Sequence, residues 1–280
     1  MMLIDSVAAL TRAIDAHAVW PHLPVWAYVL ITLIDTHITT TCVTLYLHRC
    51  QTHRAITFSP VVEHLMRFWL WVRTAMPTRE WVAVHRCHHA YVDTDKDPHS
   101  PVYYGIWRVL FLGTALYHRA KNNRQIIEQF GKGTPDDVLE YLYDDMSLLG
   151  PFLTLAANLW LFGTAGFFMW LVEMAWIPFF AAGVINGLGH YWGYRNFETP
   201  DASTNLPGKP WSLFTAGEAL HNNHHHIQNA ARFSMRKGEI DPGYVYFSIL
   251  KSLGLASQRR PDVSDLLQPE AAGVTAQSQA

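Results

Sequence analysis

Residues 148–190 read LLGPFLTLAANLWLFGTAGFFMWLVEMAWIPFFAAGVINGLGH, and Glu173 is the only charged side chain among them. This stretch is long enough for two passages of about 20 apolar residues across a bilayer. The small residues at 163–166 supply a turn between the two passages. Half of the whole chain is hydrophobic and only 16% is charged, well short of the roughly 25% of a soluble domain. The sequence therefore predicts an all-α integral membrane protein.

A second apolar stretch precedes this hairpin and is interrupted only by Asp35 and His37. Polar groups inside a span are usually functional, so both side chains are candidates for lining a substrate channel. Residues 1–23 are more polar and predict an amphipathic helix at the membrane interface, with a fourth span as the alternative. We expect spans at about 24–47, 148–167 and 169–189 in a membrane domain of residues 24–255, followed by a disordered tail at 256–280.

Positive charge is distributed very unevenly around these spans. Residues 49–132 and 195–260 hold twenty of the twenty-one Lys and Arg residues, and Arg12 is the exception. Because Lys and Arg concentrate in cytoplasmic loops, both segments are predicted to face the cytoplasm. Surface helices are expected within 58–76 and 241–255, as parts of a helical cap. A net charge of −2 argues against nucleic acid as a partner.

Eight of the sixteen histidines form three clusters on this predicted cytoplasmic side. Residues three and four apart share one face of a helix, so the second and third clusters can each direct three imidazoles to one place. Residues five apart diverge by about 140°, so the first pair is expected to reach different ions. Asn186 and His190 end the last span at the same level. The clusters are His48 and His53; His85, His88 and His89; and His221, His224 and His225.

So many imidazoles exceed the four ligands of a mononuclear zinc site, and therefore require two metal ions. Imidazole suits iron as well as zinc, and iron can support oxygen chemistry on a lipid-like substrate. The second ring nitrogens need hydrogen-bond acceptors. The candidates for this supporting role are Glu80, Asp93, Asp95, Asp97 and Glu218, with His226 extending the third cluster.

The combined pattern HxxxxH, HxxHH, NxxxH and HxxHH resembles the membrane-bound acyl-CoA desaturases of the stearoyl-CoA Δ9 type. Glu80-Trp81 precedes the second cluster, Asp97-Pro98-His99 follows it, and Gly217-Glu218 introduces the third. The resemblance covers about residues 47–255.

The resemblance implies two iron ions held by nine histidines, with Asn186 reaching one ion through a water molecule. It also implies O2 as co-substrate, a saturated acyl substrate that is preferably an acyl-CoA, and a bent apolar tunnel. Trp81 matches a tunnel wall of the family, whereas Ala182 and Gly183 replace a Thr-Trp pair of animal members. A separate electron donor of the ferredoxin, rubredoxin or cytochrome b5 type with its reductase is expected, in a bacterial inner membrane.

Two other functions remain open at this point. A hydroxylase or decarboxylase on the same di-iron scaffold would give an alcohol or a terminal alkene in place of an internal double bond. A non-catalytic membrane metal-binding or transport protein would need polar residues that cross its spans continuously, and residues 147–189 show no such continuous line.

Overall fold

A computed structural model describes residues 2–259 of the chain, with side chains from Ile4 onward. Helices dominate, and one pair of short strands is present among these residues. The first half contains α1 (Met2–Ala16), α2 (Val25–Cys42), a π-helix π1 (Val43–Thr52), β1 (Ile56–Phe58), α3 (Pro60–Thr74), α4 (Thr78–Tyr91), α5 (Pro101–Tyr104), α6 (Ile106–Lys121) and α7 (Arg124–Phe130). The second half contains α8 (Val138–Asp145), α9 (Leu149–Phe162), α10 (Thr164–Ile177), the π-helix π2 (Pro178–Leu188), α11 (Lys209–Phe214), α12 (His221–His226), α13 (Pro242–Ser252) and β2 (Ala256–Gln258).

Two helices in the described chain are long and apolar enough to cross a membrane. They are the continuous helices α2–π1, residues 25–52, and α10–π2, residues 164–188. A third span is present if α8 and α9, which meet at an angle of 72°, are counted together. Helices lie in the regions of the spans expected at 24–47, 148–167 and 169–189, and the bounds of the spans stay predictions. The helix in the second region stops at Phe162, and the helix in the third begins at Thr164.

The turn between α9 and α10 is held by the N-terminal segment. Gly163 adopts φ 64°, and a Cβ there would lie 2.3 Å from a carboxylate oxygen of Asp15. That carboxylate accepts a hydrogen bond from the main-chain nitrogen of Thr164 at 2.7 Å. The main-chain nitrogens of Val19 and Trp20 donate to carbonyl oxygens at the end of α9. The N-terminal residues thus form α1, which is joined to the end of the hairpin farthest from the histidines, and its position at the membrane interface stays a prediction.

Buried charges connect α2, α3 and α10 inside the apolar region. Arg73, near the end of α3, forms ion pairs with Asp35 of α2 and with Glu173 of α10, the latter at 3.0 Å. Asn158 of α9 also donates to Glu173 at 3.0 Å. Charges in an apolar interior are tolerated when they are paired, and here one cation is shared between the two carboxylates that the spans carry.

The contact between α6 and π2 is close enough to exclude side chains. A Cβ on Gly113 would lie 2.4 Å from the carbonyl oxygen of Ala182, and one on Gly183 would lie 2.5 Å from that of Leu110. Gly183 therefore serves helix packing, and this corrects its expected place in the substrate tunnel. The close approach fixes α6 against the helix that ends in Asn186 and His190.

The strands β1 and β2 pair antiparallel, with Ile56 opposite Gln258. The main core packs against them and includes Leu45, Tyr46 and Phe247, which are all but fully buried. The expected disordered tail is wrong at its beginning, because residues 256–258 form β2 and belong to the folded domain. Residues 260–280 of that predicted tail lie outside the described part of the chain.

Candidate metal centre

The clustered histidines form two adjacent groups of ligand nitrogens, and within each group the nitrogens lie within 4.8 Å of one another. The first group has five imidazoles and the second has four. All nine histidines expected to bind metal are used, and each belongs to one group. The first group is His48, His53, His85, His89 and His224; the second is His88, His190, His221 and His225.

Each of the short helices α4 and α12 divides its histidines between the two groups. On α4, His89 belongs to the first group and its neighbour His88 to the second. On α12, His224 belongs to the first group and its neighbour His225 to the second. Adjacent residues point about 100° apart around an α-helix, so two consecutive histidines can face two neighbouring ions. This corrects the expectation that each helix directs its whole cluster to one place.

The π-helix π1 explains the spacing of the first cluster. The main-chain nitrogen of His53 donates to the carbonyl oxygen of His48 at 3.1 Å, which is the i→i+5 bond of a π-helix. Residues five apart are therefore stacked on one side, and the two ring centroids are 4.7 Å apart. His48 and His53 belong to the same group. The expectation that they reach different ions assumed α-helical geometry, and it is wrong for that reason.

The distances between ring nitrogens fit metal ligation. Nε2 of His89 lies 3.0 Å from Nε2 of His85 and 3.1 Å from Nε2 of His224, and Nε2 of His190 lies 2.9 Å from Nε2 of His221. Nitrogens at right angles around one ion, each about 2.0–2.1 Å from it, are about 3 Å apart. The buried Nε2 atoms of three further ligand candidates have no hydrogen-bond partner among residues 2–259: His53, His88 and His225.

Four carboxylates accept from the opposite ring nitrogens and orient the imidazoles. The distances from Nδ1 to the carboxylate oxygen range from 2.7 to 3.1 Å. Three of the four acceptors were expected from the sequence. Asp201 was not, because it lies 24 residues before its partner and belongs to no recognisable motif. The pairs are Glu218 with His48, Asp97 with His88, Asp93 with His190, and Asp201 with His225.

The other expected supporting residues lie elsewhere. Glu80 forms an ion pair with Lys121 at 2.9 Å, because the two side chains face each other between α4 and α6. Asp95 is exposed at the tip of the turn that follows α4. His226 is exposed and stacks flat on Phe197, with ring centroids 4.0 Å apart. None of these three side chains contacts a ligand imidazole among the described residues.

Burial controls the ionisation of this site. Burial, together with the neighbouring imidazoles, lowers the pKa of His85, His89 and His224 well below its ordinary value. Burial alone would raise the pKa of Glu218, but the adjacent His48 and Arg49 outweigh it, and the pKa falls. These three imidazoles are thus held neutral, the form that binds metal, and an ionised carboxylate lies behind His48.

An apolar cavity of about 300 Å³ opens beside the first group. His48 and His85 contribute to its wall, as do Asn186 and Trp81, and Trp81 stacks on His85 with ring centroids 4.9 Å apart. Asn186 therefore lies at the cavity, next to the helix end that carries His190. Apolar side chains and Ala182 complete much of the remaining wall, including Val43, Met76, Val84, Met174, Ile177 and Ala181.

Two expected tunnel residues are displaced from this cavity. Asp35 does not line the cavity, but it forms an ion pair with Arg73, which does. Nε2 of His37 lies 2.8 Å from the hydroxyl of Tyr246, so His37 joins α2 to α13 and does not line the cavity. His99, which was not among the expected tunnel residues, is in the wall, and its ring centroid lies 4.7 Å from that of His88, on which it stacks. The sequence feature that could have predicted this place for His99 is its position two residues after Asp97, which supports a ligand.

The family model for fatty acid desaturases matches residues 19–237, which is most of the chain. The chain belongs to the fatty acid desaturase family. It is 32% identical to an acyl-CoA C20 Delta5-desaturase of Anemone leveillei over 76% of this chain and 67% of that protein. It is 30% identical to Delta-9 acyl-lipid desaturase 1 of Arabidopsis thaliana, over 77% and 69%. It is also 30% identical to the sn-1 stearoyl-lipid 9-desaturase of Anabaena variabilis, over 77% of each chain.

The expected family is thereby confirmed, and with it the enzyme class. The desaturase is an oxidoreductase with a helical fold, apolar helices and histidine groups that can hold metal. Its matched region begins before α2 and ends after α12, so it includes all nine clustered histidines. One of these relatives is named for acyl-CoA substrates, and the Arabidopsis protein is named for acyl-lipid substrates.

Proposed function

We propose that this desaturase inserts a cis double bond into a saturated acyl chain, between carbons 9 and 10 of an acyl-CoA, with O2 and a centre of two iron ions. The observation that carries the proposal is the pair of histidine groups beside one apolar cavity. Five imidazoles would hold one ion. Four imidazoles would hold the other, with Asn186 as a further polar group beside it.

The bound ions would supply the oxidising chemistry. In the overall balance, O2, two electrons, two protons and two hydrogens from adjacent methylene groups give two water molecules and one double bond. A carrier of the ferredoxin, rubredoxin or cytochrome b5 type would deliver the electrons. The charge distribution around the spans supports a cytoplasmic position for the site, and we place the enzyme in a bacterial inner membrane.

The protein's own contribution is positioning and the exclusion of water. A saturated chain has no functional group near its reacting carbons, so only the shape of the cavity can select them. Trp81 is held flat against His85 and forms a rigid wall next to the first group. Ala182 is a small wall residue in the same cavity, and its size leaves room for the chain beside π2. Asp97 holds His88 from outside the cavity, and Glu218 holds His48 from the cavity wall itself.

The test is desaturation of defined substrates by the purified protein loaded with Fe²⁺. Octadecanoyl-coenzyme A is supplied with O2 and a reducing system, and mass spectrometry locates the double bond. We expect octadec-9-enoate from the wild type, none from His221→Ala, and normal product from His17→Ala, which changes an exposed histidine on the far side. An alcohol or a terminal alkene would favour the hydroxylase or decarboxylase alternative. Equal internal alkene from wild type and His221→Ala would refute the proposal.

A further inference from the structure

The cavity beside the first histidine group contains a buried polar group that the metal centre does not explain. The hydroxyl oxygen of Tyr117 is fully buried, yet it has no hydrogen-bond partner within residues 2–259. Tyr117 lines the same cavity as His48, His85 and Asn186. A buried hydroxyl without a partner is costly, so such a group in a ligand cavity points to a polar atom of the ligand.

The charged side chains of this wall are paired inside the protein. Arg73 is neutralised by Asp35 and Glu173, and Lys121 by Glu80. His99 leaves its Nε2 without a partner, but its ring stacks on His88 and belongs to the metal centre already described. The Tyr117 hydroxyl has no hydrogen-bond partner among residues 2–259 and no role at the metal centre.

The position of Tyr117 is rigid. It lies on α6, one turn before Lys121, and Thr114, His118 and Lys121 line the cavity from the same helix. The helix is held in place by the contact of Gly113 with the backbone of Ala182. Burial raises the pKa of Tyr117, so its hydroxyl keeps its proton and can act as a donor. A fixed donor at a fixed site along the cavity can locate one atom of a bound chain.

The proposed acyl substrate supplies one matching atom. Its hydrocarbon part has neither donors nor acceptors, whereas the carbonyl oxygen of its thioester or ester bond is an acceptor. Methylene groups are alike, so apolar walls alone allow a chain to slide by one carbon at little cost. A hydrogen bond to the carbonyl at C1 removes that freedom, because it fixes how many carbons separate C1 from the irons.

We infer that Tyr117 anchors the acyl carbonyl by donating a hydrogen bond to it, and that this bond sets the position of the new double bond. The inference rests on the proposed function and adds to it the residue that fixes how many carbons lie between C1 and the irons. The same carbonyl occurs in an acyl-CoA and in a glycerolipid, so either source satisfies the contact.

The test compares Tyr117→Phe with the wild type on octadecanoyl-coenzyme A, with iron content measured for both. Phe keeps the ring and removes only the donor. We expect unchanged iron, a KM raised about 2- to 12-fold, the worth of one neutral hydrogen bond, and a second positional isomer of the alkene. Tyr143→Phe is the control, because Tyr143 stacks on Trp71 outside this cavity and should change neither KM nor position.

A substrate analogue gives the same test without a variant. S-octadecyl-coenzyme A lacks the carbonyl oxygen, so the wild type should desaturate it with the mixed positions of Tyr117→Phe, and the variant should show no additional change. A second arm with 1-octadecanoyl phosphatidylcholine shows which source of the carbonyl the enzyme uses. If the wild type forms no double bond on any substrate, the proposed function fails. If it does, and Tyr117→Phe yields the same single isomer, this inference alone is overturned.

Discussion

Nδ1 of His48 lies 2.7 Å from Oε1 of Glu218, a carboxylate 170 residues further along the chain. The same carboxylate accepts a hydrogen bond from the hydroxyl of Thr44, one helical turn before His48. Glu218 thus connects the first histidine cluster to the third from behind the ligands. An acceptor at Nδ1 leaves Nε2 free for a metal ion and fixes the orientation of the ring.

Removing that acceptor should weaken metal binding at the first group. We expect Glu218→Ala to lower iron affinity about 10- to 100-fold, because His48 loses the partner that selects its tautomer. Iron per protein after dialysis against a graded chelator series measures this. The matched control is Glu80→Ala, which removes a nearby carboxylate that pairs with Lys121 instead. Equal iron retention in both variants would contradict the role assigned to Glu218.

Asp201 provides a separate test at the second group. Its Oδ2 accepts from Nδ1 of His225, while its Oδ1 accepts from Thr199 and from the main-chain nitrogen of Ser203. Asp201→Asn keeps the second set of bonds but places an NH2 group against the His225 donor. We expect about one of two irons to be lost at moderate chelator concentration. Asp95→Asn, on an exposed residue, should retain both; loss in both variants would assign the effect to general instability.

Metal removal should distinguish iron from zinc. We expect two irons per chain, complete loss of desaturation after chelation, and recovery with Fe²⁺ but not with Zn²⁺. The thermal midpoint should also fall on chelation, because an ion that binds only the folded state stabilises it by mass action. Metal analysis and a thermal melt give readouts that do not depend on turnover. One iron ion per chain, or activity restored by zinc, would contradict the two-iron proposal.

The buried ion-pair cluster should contribute strongly to stability. Arg73→Leu leaves Asp35 and Glu173 without their cation, and loss of one partner of a buried pair costs about 3–5 kcal/mol. Thermal unfolding in detergent should show a large fall in midpoint. Arg124→Leu removes a pair with Glu128 that is exposed to solvent, and should have no measurable effect. A similar small effect from both variants would indicate that the cluster is hydrated.

The α6–π2 contact should not tolerate a side chain. We expect Gly113→Ala to destabilise the fold by about 1–3 kcal/mol, because its Cβ would lie 2.4 Å from a backbone carbonyl that cannot move aside cheaply. Gly187→Ala is the control on the facing helix, where the nearest atom to an added Cβ is at 3.4 Å. Denaturation followed by tryptophan fluorescence compares them. Equal stability would mean that α6 is not held by this contact.

Local chemistry explains why much of the site was predictable from sequence. A metal ligand must be one of a few residue types, and clustered histidines at the ends of apolar stretches are rare enough to identify it. Asp97 and Glu218 were found because they lie close to the clusters in sequence. Asp201 could not be found, because its pairing with His225 depends on a loop conformation.

Helix type was the main obstacle to assigning the ligands. Periodicity arguments assume 3.6 residues per turn, and this value separates His48 from His53. The π-helix reverses that conclusion, because its i→i+5 bonding brings residues five apart to the same side. The predicted roles of Glu80 behind a ligand and of His37 in the tunnel were wrong for another reason. Each found a nearby polar partner, Lys121 and Tyr246, that only the packing of α6 and α13 brings into reach.

The cluster of Arg73, Asp35 and Glu173 also constrains how the chain enters a membrane during synthesis. Asp35 leaves the ribosome first, and its cation follows only with α3. Glu173 follows a full 100 residues after Arg73. Until α3 arrives, the apolar helix α2 holds a carboxyl group that lipid disfavours. Docking of α3 supplies the cation for Asp35, and docking of the hairpin then adds Glu173, so the first span gains its polar partners only after it has been synthesised.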